Sequence, residues 1–215
     1  MPHPKLYTYF RSGSSHRVRI ALALKGLAYE SVPIHLLRDG GEHRQAAYQK
    51  INPQQRLPAF VLADGTVLIQ SPAILEYLEE IAPSPPLLPG DPVRRAQMRG
   101  VAALIGCDIH PLNNISVLSV LRKSLGATDA DVAAWIARWI IDGFAAIETL
   151  IEDSGFCFGT EPGMADVYLV PQLFSARRFG VDLTPFPRIR RVESLADSHP
   201  AFIAAAPAQQ PDGIA

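Results

Sequence analysis

The chain has 215 residues, 48% of them apolar and 19% charged, which is enough for a substantial core in one domain or two small ones. Its 20 basic and 21 acidic residues nearly cancel, leaving a formal charge of −1 and no general field to draw nucleic acid or an anionic membrane. The opening MPHPKLYTYF lacks the basic segment and apolar stretch of a signal peptide, and no 18-residue uncharged apolar run follows, so a cytoplasmic protein is expected.

In chain order, KLYTYF (5–10) is aromatic and β-prone, and the run from Val18 to Leu24 predicts a helix that Gly26 ends. YESVPIHL (29–36) alternates as a strand, and Pro33, which cannot donate to a ladder, places it at an edge. LPAFVLADGTVLI reads as two short strands joined by Asp64 and Gly65. In QSPAILEYLEEIAP, Ser71 suits an N-cap and Pro72 the first helical position, while Ile74, Leu75, Leu78 and Ile81 describe one buried face. The order is βαβ, a middle segment, then ββα.

PSPPLLPGDP (83–92) can sustain neither a helix nor a central strand and reads as a linker. Beyond it strand signals fade. A helical pattern over 93–125 is interrupted at Pro111, and a second over 129–153 carries Trp135, Trp139, Phe144, Ile147 and Leu150. A third begins near Gly163, with Asp166 placed to reach back to orphan amides. Cys107 and Cys157 stand in no C-x-x-C pattern; both are expected as small buried hydrophobes, and no metal site, nucleotide loop or nucleic-acid patch is visible.

A βαβ-ββα half followed by a helical half resembles the soluble glutathione transferases. YFRSGSSHRVRIALALKG, NPQQRLPAF, LIQSPAILEYLEE, LLPGDP, GCDIHPLNN, MADVYLVPQ, ARRFGVDLTPFP and the closing QPD, in this order over nearly the whole chain, narrow the resemblance to the zeta class, which includes the maleylacetoacetate and maleylpyruvate isomerases. The resemblance implies a thioredoxin-like glutathione-binding domain over 1–82, a linker over 83–92, an all-helical substrate domain over 93–215 and a homodimer. The chain departs from the class signature, which reads Ser-Ser-Cys before Ser-Trp: here Ser12, Gly13 and Ser14 precede Ser15 and His16, so Ser14 replaces the signature cysteine. Gly163 replaces the usual Ser or Thr cap. Together with CDIHPLNN, the changes at 14 and 16 lean toward the maleylpyruvate members.

The residues fit the cofactor that the resemblance implies. A thiol of pKa about 8.5 is mostly protonated at neutral pH, and lowering it by two units needs about 2.7 kcal/mol. Hydroxyls and free amides at the start of a helix, with the helix dipole behind them, can supply that. Ser12 aligns with the catalytic serine of the family; Ser14 and Ser15 add donors, Gly13 permits close approach, and Arg11 can grip a substrate carboxylate. Ser12, Arg11 and Ser14 are therefore the candidate catalytic residues.

By the same resemblance, Pro58 is a cis-proline that turns the Leu57 backbone toward the tripeptide, Gln70 and Ser71 hold its γ-glutamyl carboxylate, and His43 and Gln54 reach its glycyl carboxylate. Capping alone explains Ser71 equally well, and His43 lies in the polar stretch GGEHRQ. His110 and Asn114, four apart, are expected to share a helix face over the cofactor, with Ser116 nearby, unless Pro111 kinks the helix and these polar groups satisfy the carbonyls it frees. Of the pair Arg177 and Arg178, the match selects Arg178 for a substrate carboxylate. The function implied is glutathione-dependent cis-trans isomerisation of a maleyl diacid from aromatic ring breakdown. The alternatives are a general detoxifying transferase that conjugates glutathione to electrophiles, and a catalytically silent transferase-like binding module.

Overall fold

The computed structural model describes residues 3–213. They form two compact units, one running to Pro86 and resumed from Ser198 onward, the other spanning Leu87–Asp197.

In the first unit β1 (Lys5–Thr8) leads into α1 (Gly13–Leu24), followed by β2 (Glu30–Pro33), a single turn α2 (Ala46–Gln49), β3 (Ala59–Val61), β4 (Val67–Ile69) and α3 (Ser71–Ile81). The strand order is β2-β1-β3-β4, with β1 parallel to β2 and antiparallel to β3, and β3 antiparallel to β4. This is the βαβ-ββα order the sequence predicts, with the Pro33 strand at an edge. Leu6, Ile20, Leu22, Phe60, Ile74 and Leu78 fill the core between sheet and helices. Gly26, at φ +63°, ends α1 as expected.

Three local expectations change. The first strand stops at Thr8, two residues early, because Phe10 gives its N–H to the Asp212 carboxylate and not to a neighbouring strand. Gln70, not Ser71, occupies the cap of α3, which moves Ser71 and Pro72 one position into the helix. Ile81 is 53% exposed, since α3 ends there and the chain leaves before its side chain can return to the core.

The second unit contains α4 (Pro92–Ala103), α5 (Ile115–Leu125), α6 (Asp129–Leu150), α7 (Met164–Arg178) and α8 (Pro187–Ser198), whose last residue opens the return to the first unit. Along α6, Val132, Ile136, Ile140, Phe144 and Ile147 recur every three or four residues and are all buried. Leu150 ends the helix and is exposed. Between α4 and α5 lies a π-helical stretch, Leu104–Ile109. Its buried residues are Ile105 and Ile109, four apart, so Cys107 between them faces outward and is exposed, unlike the buried Cys157.

Part of the expected linker belongs to this unit. Leu87 and Leu88 are buried, and the Leu87 carbonyl accepts from the Met164 N–H at 2.7 Å. A Cβ on Gly163 would stand 3.0 Å from that carbonyl, a tight approach that glycine avoids. The Asp166 carboxylate makes the reciprocal half of a capping box: it accepts from Gly163 N and also from Cys157 N, each at 2.8 Å. Burial raises its pKa.

The closing residues lie in the first unit, whereas the resemblance places them in a helical domain over 93–215. α9 (Pro200–Ala205) packs on α1, and Arg19 of α1 donates to the Ala205 carbonyl at 3.0 Å. Among the described residues, no helix is long and apolar enough to cross a membrane.

His16 is buried in α1, and its Nε2 meets no hydrogen-bond partner. Burial first, and then the charges of Arg19 and Arg17, hold its pKa well below the usual histidine value. The unfolded chain binds that proton from about pH 6.5 downward and the folded chain does not, so stability present above that pH is lost below it, by up to about 1.4 kcal/mol per pH unit. Urea unfolding between about pH 6.5 and 5.5 should show a flatter dependence in His16→Phe than in the wild type.

Candidate active site

The turn between β1 and α1 assembles the serine cluster. Ser12 N donates to the Tyr9 carbonyl at 2.9 Å, and Ser12 then adopts extended dihedrals (φ −70°, ψ 112°) as the N-cap of α1. Its Oγ accepts from Ser15 N at 3.3 Å and from Ser15 Oγ at 3.1 Å. Ser14 Oγ lies 3.2 Å from Ser12 Oγ and donates to the Leu57 carbonyl at 3.0 Å. The hydroxyl protons of Ser14 and Ser15 are thus committed, and the Ser12 proton is the one able to turn toward an incoming anion at the helix start. Gly13 is the first residue of α1, and no acidic residue occupies that first turn.

Arg11 stands immediately before the cluster. Its guanidinium carbon lies 5.7 Å from the Tyr9 ring centroid and 5.1 Å from that of Phe10, and Nη2 donates to the Tyr9 hydroxyl at 3.0 Å. No carboxylate pairs with it among the described residues, and its buried Nε has no partner. A stacked, oriented guanidinium without a counter-ion is suited to receiving a carboxylate from outside.

The Leu57–Pro58 peptide is cis. The loop before it is held by Tyr48 Oη and Asn52 Nδ2, which donate to the Arg56 carbonyl at 2.7 and 2.6 Å, and by Gln54 N, which donates to Asn52 Oδ1 at 3.0 Å. The Leu57 N–H has no acceptor among the described residues. Gln70, at φ +69°, holds a left-handed conformation rare for a residue with a side chain and donates through Nε2 to Gln54 Oε1 at 2.6 Å. Ser71 beside it is buried, with Arg17 Nη1 3.5 Å from its Oγ.

His43, expected in a solvated loop, is buried. Burial first, and then the Arg44 charge, lower its pKa, so a neutral imidazole is presented with Nδ1 unpartnered. The ring folds back over Gly41, at φ +104°, where a Cβ would clash with ring Cε1 and lie 2.7 Å from Nδ1.

In the helical unit the expected face shared by His110 and Asn114 does not form. His110 closes the π-helical stretch by donating its N–H to the Ile105 carbonyl at 2.9 Å, and the helix ends in a turn over 110–114. Asn114 is the N-cap of α5; its Oδ1 accepts from Ser116 N at 3.0 Å and Ser116 Oγ at 2.8 Å. The Pro111 ring, with no N–H to give, prevents a continuous helix there. Arg177 is engaged by Glu193 at 3.0 and 2.6 Å, whereas Arg178 is exposed and stacks 4.3 Å from the Phe179 ring centroid.

The family model for the glutathione S-transferase N-terminal domain matches residues 11–81, and that for the C-terminal domain matches 129–193. Maleylacetoacetate isomerase of Pseudomonas aeruginosa is 64% identical over 97% of this chain and 98% of that protein. Maleylpyruvate isomerase of a Ralstonia species is 51% identical over 97% and 99%. A solved holo maleylpyruvate isomerase, described as a bacterial glutathione S-transferase of the zeta class, is 51% identical, with TM-score 0.92 over 97% of this chain and 99% of that one. This chain belongs to the zeta-class glutathione S-transferases. The maleylacetoacetate isomerase of Anaeromyxobacter dehalogenans 2CP-1, solved with glutathione in its active site, is 43% identical to this transferase with TM-score 0.88, over 99% of this chain and 98% of that one. The same protein has been solved with dicarboxyethyl glutathione and citrate (TM-score 0.86, 41% identity, 99% and 94% coverage).

Sequence reasoning passes over two cations of the transferase's first helix. Arg17 and Arg19 are both buried, Arg17 beside Ser71 and Arg19 beneath the turn that carries Arg11. The signal was two arginines flanking Val18 at the head of an apolar helical run, where solvated charges are out of place. In Gly41→Ala the His43 ring must move, so the histidine should titrate closer to about pH 6.5. Its imidazole proton resonances, followed by NMR against pH, check this.

Proposed function

We propose that this zeta-class transferase is a glutathione-dependent cis-trans isomerase of maleyl diacids, turning maleylacetoacetate into fumarylacetoacetate or maleylpyruvate into fumarylpyruvate. The observation that carries the reading is Arg11: a guanidinium without a counter-ion, fixed on two aromatic rings directly before a helix start whose cap hydroxyl has a proton to give. The names of its relatives support it, as does the diacid-bearing glutathione found in the Anaeromyxobacter enzyme.

The residues fit glutathione by what they leave available: the Leu57 N–H, the His43 Nδ1 and the Ser12 proton, for which only Ser14 Oγ at 3.2 Å competes. Ser12, Ser14, Ser15, Gly13, Leu57, Gln54, Gln70, Ser71 and His43 would hold the tripeptide, and the family resemblance adds His110, Asn114 and Ser116 as further polar contacts. Bound glutathione supplies a thiolate that adds to the cis double bond and departs once the bond has rotated. Ser12 donates to the sulfur anion and, with the free amides of α1, holds its proton off at neutral pH. Arg11 holds one substrate carboxylate in two-point contact, and the family resemblance assigns the other to Arg178. Arg11 also opposes the negative charge that develops next to the carboxylate it binds. The identity is higher with a maleylacetoacetate isomerase than with a maleylpyruvate isomerase, against the lean of the substitutions at positions 14 and 16, so both diacids are the substrates to assay. A homodimer, as the family resemblance implies, and a cytoplasmic location complete the proposal.

Removing the Ser12 proton donor should raise the kinetic pKa of the bound thiol by about one to two units, moving the alkaline-rising limb of kcat/KM to higher pH; an unchanged profile for Ser12→Ala removes Ser12 from the mechanism. Arg178→Ala should raise KM for the diacids and lower kcat/KM by on the order of 100-fold. Wild-type kinetics in that variant reject the role of Arg178, and a wild type that conjugates chlorodinitrobenzene but isomerises neither diacid rejects the isomerase reading.

A further inference from the structure

The closing residues Gln210, Pro211 and Asp212 enter none of the chemistry above. They lie in the first unit, behind the turn that presents Arg11 and Ser12. Arg19, 1% exposed, sends its guanidinium from α1 to that turn. Its Nη1 donates to Thr8 Oγ1 at 3.0 Å and to the Tyr9 carbonyl at 3.3 Å, its Nη2 to the Phe10 carbonyl at 3.0 Å, and its Nε to the Ala205 carbonyl of α9 at 3.0 Å. From the tail, Asp212 Oδ2 accepts from the Phe10 N–H at 3.0 Å. Both polar groups of Phe10 are therefore held, its carbonyl by a buried cation and its N–H by a carboxylate. The Tyr9 carbonyl is shared between Arg19 and the Ser12 N–H.

The tail is itself anchored. Gln210 is buried, and its Nε2 donates to the Ala204 and Ala206 carbonyls at 3.1 and 3.0 Å. Gly213 N donates to the Gln210 carbonyl at 2.8 Å, and a Cβ on Gly213 would clash with the Pro207 carbonyl. Residues 9–11 have left the sheet, so no strand ladder fixes their peptides. Arg19 and Asp212 do that work.

We infer that Asp212 and Arg19 are positioning residues for the reaction: they fix the Tyr9–Ser12 turn so that the Arg11 guanidinium and the Ser12 hydroxyl face the thiol and the diacid in one geometry. The inference rests on the function proposed for Ser12 and Arg11. Misplacement of such groups by a fraction of an ångström is costly, because their effect depends on alignment and not on contact alone.

The test compares wild type, Asp212→Ala and Asp212→Asn, the last of which keeps a carbonyl oxygen to accept from Phe10. The readouts are amide hydrogen exchange at Phe10, the pKa of bound glutathione from thiolate absorbance, glutathione Kd, and kcat against KM for the diacids. In Asp212→Ala, Phe10 should exchange at least about 10-fold faster. The thiol pKa should rise by about half a unit or more, and kcat should fall about 10-fold with glutathione Kd near the wild-type value. Asp212→Asn should restore each toward wild type. If Phe10 exchanges no faster in Asp212→Ala, the tether does not exist; if it exchanges faster while thiol pKa and kcat stay unchanged, Asp212 is structural only, and either result overturns the inference. A wild type whose bound thiol ionises as in free solution removes the role of Ser12 and this inference with it. An unchanged variant of a wild type that does lower that pKa removes this inference alone.

Discussion

A helix begins with backbone N–H groups that its own turns cannot satisfy, and the first unit is arranged around that deficit at α1. Ser12 satisfies part of it through its accepted bond from Ser15 N, and the remainder stays open to an anion. No acidic side chain fills the first turn, and Arg11, Arg17 and Arg19 surround it with positive charge. A chain with almost no net charge thus carries a strongly local positive field.

The second constraint is that this field be held still. Ser14 ties α1 to the loop before Pro58, which in turn rests on Tyr48 and Asn52. Gln70 keeps a left-handed backbone at the entrance to α3, where it meets Gln54. These bonds join three separate stretches of chain, around residue 14, over 48–58 and at residue 70. The helical unit uses similar means at the start of α7, where the buried Asp166 holds the Gly163 and Cys157 amides together.

Much of this was legible because the signals are short-ranged. Apolar periodicity placed α3 and α6, Pro33 marked an edge strand, and Asp64 with Gly65 marked the hairpin between β3 and β4. The serine cluster could be read because a cap is a local event. What escaped depends on distant partners. Nothing within GGEHRQ says that His43 will be buried, and the spacing of His110 and Asn114 reads as one face only if Pro111 is ignored. Arg19 answers to a carbonyl at position 205 and works opposite a carboxylate at 212, far beyond any window of periodicity. Exposure of Ile81 and Cys107 likewise follows from where a helix stops and which way a π-helical stretch turns.

The first unit is discontinuous, its sheet built early in the chain and its last helix contributed after residue 198. During synthesis the N-terminal segment therefore leaves the ribosome with Arg19 lacking the carbonyl that completes its cage, and must wait for more than a hundred further residues before it can settle. A chain broken off before residue 198 would lack both the Ala205 carbonyl and the Asp212 carboxylate that hold the turn before α1.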